Sequence, residues 1–252
     1  MDVAAYLDRL GLDRPATADV AALRTLQERH LAVVPFENLS IHLGEPIVLD
    51  TEALFDKIVR RRRGGFCYEL NGLFAALLRE LGFDAGLRSA KVFRPDGTLG
   101  PPFDHAAIRV ELDEPWLADV GFGRFSRFPL RLSATEAQTD PGGEFLFLDA
   151  PYGDIDVLLD GKPQYRIEQR ARNLDEFTPT AWWQATSPDS HFTQGPTTSL
   201  PTKHGRITLA GGKLIVTTHG VREETRLSSD QEILDVYRKE FGIELVRVPV
   251  RP

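Results

Sequence analysis

The chain of 252 residues holds one cysteine, Cys67, and one methionine. A lone thiol excludes an intramolecular disulfide framework and any CxxC pair of metal ligands. No stretch approaches the roughly 18 apolar residues of a membrane span. Positive charge is not in excess: 30 Lys+Arg stand against 37 Asp+Glu, a net charge of −7. Broad nucleic-acid binding needs a basic face, so that class is disfavoured. The start, Met1 to Asp8, is acidic and amphipathic. It lacks the basic region and long apolar core of a secretory signal. No internal repeat, low-complexity tract or Walker-type phosphate loop is present. Together these absences predict a soluble cytoplasmic protein with no nucleic-acid partner, no membrane contact and no metal. They leave its oligomeric state open.

What is there is an ordinary globular composition, 42% hydrophobic and 27% charged. The length suffices for a sizeable core. The first third reads as helical. Asp2 is placed to cap a short helix that Gly11 stops. Thr17 is the expected cap of a longer one, with Val20, Leu23, Leu26 and Leu31 as its stripe, closing before Pro35. Thr51 starts a third, with Glu52 and Asp56 near its front. Arg60 to Arg63 would form its basic last turn and complement the dipole. A fourth runs from Cys67 to Leu81, with Leu70, Phe74, Leu77, Leu78 and Leu81 on one side and Gly82 as its stop.

After Gly82 the period changes. Strands are expected over 86–94, 105–112, 115–120, 145–148, 155–159 and 165–170, separated by turn-rich segments. A helix or irregular crossing follows over 174–186, then a loop over 187–203. A hairpin is centred on Gly211-Gly212, and Ser229-Asp230-Gln231-Glu232 opens a last helix through Phe241. The order predicts an α+β architecture: a helical bundle over 1–83, an antiparallel β-barrel over 84–200 and a small mixed unit over 201–252.

The cysteine sits in Arg63-Gly64-Gly65-Phe66-Cys67-Tyr68-Glu69-Leu70-Asn71. The glycine pair suits a tight turn, and the helix start favours a thiolate. A cysteine nucleophile needs a base and the base an orienting group. Of six histidines, His105 stands out, because it follows a Gly/Pro-rich loop and opens an apolar strand. His30 reads as a packing or surface residue, and His42, His204 and His219 carry no strong signal. Asp119 lies in the apolar run Trp116-Leu117-Ala118-Asp119-Val120-Gly121. There it needs a partner, either the Nδ1–H of His105 or backbone amides at the glycine turn. Asp104 is a rival orienter, but adjacent strand residues face opposite ways. Arg63 and Glu37, each the charged residue of an otherwise apolar or glycine-rich string, are expected to pair. The order Cys67, His105, Asp119 leaves protease, transglutaminase and acyltransferase open.

The Arg63–Asn71 string resembles the active-cysteine signature of the arylamine N-acetyltransferases. Pro35-Phe36-Glu37-Asn38-Leu39, His105, Asp119-Val120-Gly121-Phe122-Gly123 and Ser187-Pro188-Asp189-Ser190-His191-Phe192 are similar to further motifs of that family, in the same order. The resemblance spans about residues 35 to 195 and is loose after 200. It implies a helical bundle, a β-barrel and an α/β lid on a transglutaminase-like cysteine-triad scaffold. It implies a Cys67–His105–Asp119 triad, with Phe36, Phe122 and Phe192 lining an acceptor pocket. It also implies acetyl-coenzyme A as co-substrate, ping-pong transfer to an arylamine or hydrazine, and no permanently bound cofactor. The alternative of the same chemistry is an amide synthase of polyketide biosynthesis using a carrier-bound thioester. A cysteine hydrolase or an idle binding domain are the other readings. Lys203, His204, Arg206 and Lys213 form a basic stretch that is a candidate for the coenzyme's phosphates, and equally a solvated surface.

Overall fold

Short polar caps and left-handed stops cut the first third of the chain into helices. The computed structural model describes residues 1–250. Among these are helices α1 (Val3–Leu10), α2 (Val20–Val33), α3 (Leu39–Leu43), α4 (Thr51–Phe55), α5 (Cys67–Glu80), α6 (Thr178–Thr186) and α7 (Asp230–Phe241). Asp2 caps α1 by accepting from the N–H of Ala5, and Gly11 ends it at φ 66°. The cap of α2 is Asp19, not Thr17. Asp19 directly precedes the first helical residue and accepts from the N–H of Ala22, while the Thr17 hydroxyl only donates to Asp19. Likewise Asp50 caps α4, accepting from the N–H groups of Glu52 and Ala53.

The arginine run is not a basic helix end. After Phe55 the backbone widens into a π-turn over Asp56–Arg60, and Arg62 takes φ 54°. Arg60 and Arg61 stay outside, paired with Glu52 and Asp56. Arg63 is carried inward and buried. Helix α5 is buried on all sides from Cys67 to Leu78. Its apolar stripe was therefore only part of the buried surface. Gly82, at φ 93°, stops it.

Eight antiparallel strands follow. They are β2 (Asp84–Val92), β3 (His105–Glu111), β4 (Pro115–Ala118), β5 (Leu130–Arg131), β6 (Gln138–Asp140), β7 (Gly143–Asp149), β8 (Ile155–Leu159) and β9 (Lys162–Arg172). Their order is β5-β4-β3-β2-β9-β8-β7-β6. The two edges meet through Gln138, whose side chain accepts from the N–H of Arg131 and donates to its carbonyl. The barrel is thus nearly closed. Alternation along β3 feeds two cores. Ala106, Ile108 and Val110 face the cluster built around α5, and Ala107 joins Phe145, Tyr165 and Ile167 in the barrel.

A second antiparallel sheet runs β1-β10-β11-β12-β13. Its strands are β1 (Phe36–Glu37), β10 (Thr197–Thr202), β11 (Gly205–Ala210), β12 (Lys213–Thr218) and β13 (Val221–Arg226). The hairpin at Gly211-Gly212 is the β11–β12 turn. Strand β10 lies where a loop was expected, because Ser199 and Thr198 pair with Phe36 and Glu37. The expected boundary at 200 falls inside it. Helix α7 covers this sheet, with Tyr237 and Phe241 against Leu200 and Leu209. No helix among the described residues is long and apolar enough to cross a membrane.

Candidate active site

Cys67 is the first residue of α5, at the end of a chain segment clamped on three sides. Gly64 and Gly65 are needed for close approach, not for a left-handed turn. A Cβ on Gly64 would fall 1.9 Å from the carbonyl oxygen of Pro35, and one on Gly65 would fall 2.7 Å from Glu69 Oε2. The backbone here runs beside β1, with Glu37 N–H donating to the Gly65 carbonyl at 2.8 Å. Glu69, three residues into the helix, accepts from the N–H of Phe66. Two buried ion pairs hold this corner. Arg63 Nε donates to Glu37 Oε1 at 3.0 Å, as the sequence led us to expect, and a further arm reaches Glu45. Lys57 Nζ donates to Glu69 at 2.6 Å. Burial works to raise the Glu37 carboxyl, but Lys57, Arg63 and the N–H of Leu39 bring it below the usual range.

His105 opens β3, opposite Ala90 of β2. The loop before it is pinned to α5, because the Tyr68 hydroxyl donates to the carbonyls of Phe103 and Asp104. Asp119 follows the end of β4. Its Oδ2 lies 2.7 Å from His105 Nε2 and accepts from the Tyr165 hydroxyl at 3.1 Å. Its Oδ1 accepts from Asn71 Nδ2 and from the N–H groups of Gly121 and Phe122. Both readings of Asp119 therefore hold together: it partners His105 and it caps the glycine turn. The ring nitrogen differs from expectation. Nε2, not Nδ1, meets the carboxylate, which leaves Nδ1 for the thiol.

Electrostatics follow from this packing. His105 is 2% exposed. Burial works to lower its pKa, but the Asp119 carboxylate, together with a hydrogen bond and charge from Cys67, pushes it up to about 10. Burial would raise Asp119, yet His105, Asn71 and the Gly121 amide hold it below the usual carboxylate range. The arrangement favours a charged imidazolium beside the Asp119 carboxylate. Asp104 plays no such part: its side chain accepts from Gln184 of α6.

Cys67 and His105 lie in the wall of a cavity of about 440 Å³. Phe36, Phe122 and Phe192 all line it, as do Trp183 and His191. The ring centroids of Phe36 and Phe192 are 6.3 Å apart, and the Phe122 ring stands edge-on to His105 at 5.0 Å. Sequence reasoning missed Asn71, Tyr165 and the Lys57–Glu69 pair. Asn71 had a signal, because it lies four residues after Cys67 and hence on the same helix face. His42 was also undervalued. It is buried, between the carbonyls of Phe192 and Val250. His30 is a buried packing residue beside Tyr6. No cluster of metal-binding side chains occurs among the described residues.

A family model described as N-acetyltransferase matches residues 19–250. An arylamine N-acetyltransferase of Mycolicibacterium smegmatis is 35% identical over 257 residues, covering 97% of this chain and 93% of that protein. The solved structure of the M. smegmatis arylamine N-acetyl transferase superposes with a TM-score of 0.88, over 97% of this chain and 93% of that one. The Mycobacterium marinum arylamine N-acetyltransferase in complex with CoA superposes with a TM-score of 0.86 at 30% identity, over 96% and 93%.

Proposed function

This chain belongs to the arylamine N-acetyltransferase family, and from that premise we propose that Cys67, His105 and Asp119 move an acetyl group from acetyl-coenzyme A to an arylamine or hydrazine. One arrangement supports the reading above others. A helix-start thiol, an imidazole and a five-donor carboxylate are buried in line beside an aromatic cavity.

The steps follow from the chemistry. His105 takes the proton of Cys67, so the reacting pair is a thiolate and an imidazolium. The sulfur attacks the thioester carbonyl carbon. The N–H groups of Cys67 and Tyr68 at the start of α5, which have no helical acceptors, support the oxyanion, whereas those of Glu69 and Leu70 donate to the Phe66 carbonyl. The C–S bond to the coenzyme breaks, and the imidazolium proton goes to the leaving thiolate. The acetyl group now rests on Cys67. An amine then attacks the same carbon and gives its proton to His105. The amide leaves and thiolate and imidazolium are restored, which makes the kinetics ping-pong. Phe36, Phe122 and Phe192 would stack an aromatic acceptor and keep out bulk water. A neutral arylamine enters without desolvating a charge, whereas an alkylammonium must lose both proton and hydration. A free nucleophilic thiol suits the reducing cytoplasm.

The test is intact mass after mixing with acetyl-coenzyme A alone. One acetyl group should appear on Cys67, and none on Cys67→Ala. Its decay should be slow in water, fast with a simple arylamine and slow with lysine. Decay as fast in water would make the protein a hydrolase. Faster decay with lysine would replace the arylamine reading by a transglutaminase-like one.

A further inference from the structure

Asp104 is a carboxylate beside His105 that the triad leaves unused, and a buried chain of hydrogen bonds starts from it. Gln184 of α6 donates from Nε2 to Asp104 Oδ1 at 2.7 Å. The amide oxygen of Gln184 accepts from the Ser190 hydroxyl, also at 2.7 Å. The Ser190 oxygen in turn accepts from the N–H of Phe192 at 3.1 Å. Gln184 is 6% exposed and Ser190 1%. The partners fix which way the amide points, because the carboxylate needs its N–H and the hydroxyl hydrogen needs its oxygen. Both ends of the chain are anchored. The Tyr68 hydroxyl of α5 donates to the Asp104 carbonyl, and a Cβ on Gly100 would fall 2.1 Å from Asp104 Oδ2, so the loop closes tightly on this residue. At the far end the Phe192 carbonyl accepts from Asn38 Nδ2 at 2.9 Å. Phe192 is thus tied through its N–H to the start of β3, where His105 lies, and through its carbonyl to the end of β1, which runs beside Gly65.

Asp104, Trp183, Gln184, His191 and Phe192 all lie in the wall of the cavity that holds Cys67 and His105. Trp183, His191 and Phe192 come from one stretch of chain, α6 and the turn His191–Thr193 after it. A second bond from α6 to the loop before β3, Thr180 Oγ1 to the Pro102 carbonyl, is exposed to water. A buried bond to a carboxylate is the stronger tie. We propose that Gln184 is a positioning residue for the acceptor amine: through Asp104 and Ser190 it holds Trp183 and Phe192 at the spacing that receives an aromatic ring beside the acetylated thiol. This rests on the reading of the protein as an arylamine acetyltransferase. None of the hydrogen bonds of Gln184 reaches Cys67, His105 or Asp119. The assignment therefore places its effect in the second half-reaction, where the amine enters, and not in the first. With the chain broken, the Phe192 ring keeps its edge-on contact with Phe66 at 5.2 Å but loses the tether on its N–H. The wall then spends part of its time out of place, and an acceptor binds only to the remaining fraction.

The experiment separates the two half-reactions in Gln184→Met, Ser190→Ala and Thr186→Ala. Acetylation of Cys67 by acetyl-coenzyme A is followed by intact mass, and decay of the acetyl-enzyme is then measured against increasing para-chloroaniline. In Gln184→Met the rate of acetylation should stay near that of the wild type. The concentration of para-chloroaniline that gives half-maximal decay should rise about tenfold, as the fraction of protein with its wall in place falls. Ser190→Ala keeps the bond to Asp104 and should raise that concentration too, so it reports even where Gln184→Met does not fold. Thr186 is exposed on the same helix, and its hydroxyl donates to the Trp182 carbonyl. Thr186→Ala should change neither half-reaction. A role in stability alone would lower the melting temperature and leave the two half-reactions in their wild-type ratio. That ratio in both Gln184→Met and Ser190→Ala, whether the rates are unchanged or equally reduced, would overturn the assignment. Should acetyl-coenzyme A not acetylate the wild-type protein, the acetyltransferase reading itself fails. Calorimetry of the unacetylated protein with para-chloroaniline then decides the role of Gln184: weaker binding in Gln184→Met retains it, and equal binding, or no heat in either, removes it.

Discussion

Asn71 ties three segments together with one amide. It donates to Asp119 Oδ1 at 2.8 Å and to the Ala106 carbonyl at 2.6 Å, and it accepts from the N–H of Val120 at 2.9 Å. The helix of the thiol, the strand of the imidazole and the turn of the carboxylate are thereby fixed to one another. The approach is close, since a Cβ on Gly121 would fall 2.7 Å from the Cα of Cys67. Asn71→Ala leaves a buried carbonyl and a buried N–H unpaired, at about 1–3 kcal/mol each. We expect a lower melting temperature together with a slower acetylation of Cys67 by a phosphate-free donor. Lost stability with an unchanged acetylation rate would reduce Asn71 to a purely structural role. At this scale the sequence was informative where chemistry is costly: a sole cysteine after two glycines, and an aspartate in an apolar strand. The His105–Asp119 contact followed from that cost. The ring nitrogen did not, because it depends on how β2, β3 and β4 are packed. Tyr165 was not legible either. It lies 46 residues from Asp119, and only barrel closure brings them together.

Elements that make their own local signals were read well, and those that borrow a neighbour were not. Helices α1, α5 and α7 carry caps, stripes and glycine stops in their own residues. Strand β10 is Thr-Thr-Ser-Leu-Pro-Thr, and it exists because β1 and β11 supply its partners. Strand β13 is exposed throughout and offers no alternation to detect. The arginine run shows the same limit. Its net charge was plain, but the π-turn that sends Arg63 inward and leaves Arg61 outside is a backbone choice. That choice yields a prediction. Arg63→Ala strands Glu37, which is fully buried, and should cost about 3–5 kcal/mol. Arg61→Ala breaks a half-exposed pair with Asp56 and should cost less than about 1 kcal/mol. Chemical denaturation of the two variants measures both. Equal losses would mean that the Glu37–Arg63 pair does not hold the Cys67 corner.

The whole molecule couples its packing to pH through two buried histidines of opposite sign. His30 sits in the helical core with Nε2 3.0 Å from the Tyr6 hydroxyl and no partner for Nδ1 among the described residues. Burial, helped by the charge of Arg9, lowers it to about 3. In the unfolded chain it titrates near the ordinary value of about 6.5. Between those values the unfolded state binds a proton that the folded state refuses. Stability from His30 is therefore full above about pH 6.5 and lost as pH falls, at about 1.4 kcal/mol per unit. His105 runs the other way. Its pKa is raised to about 10, so its contribution is full below about 6.5 and lost as pH rises through 10. The two limbs separate, because below about pH 6.5 His105 is mostly protonated in both states. Urea unfolding at pH 6.5 and 4.5 should show a fall of roughly 2 kcal/mol from His30. In His30→Gln that part of the fall should vanish, whatever the variant costs at pH 6.5. In His105→Gln the acid limb should persist and the loss between pH 7 and 10 should shrink. An unchanged acid slope in His30→Gln would show that His30 titrates alike in both states, and that the buried carboxylates alone set the acid limit.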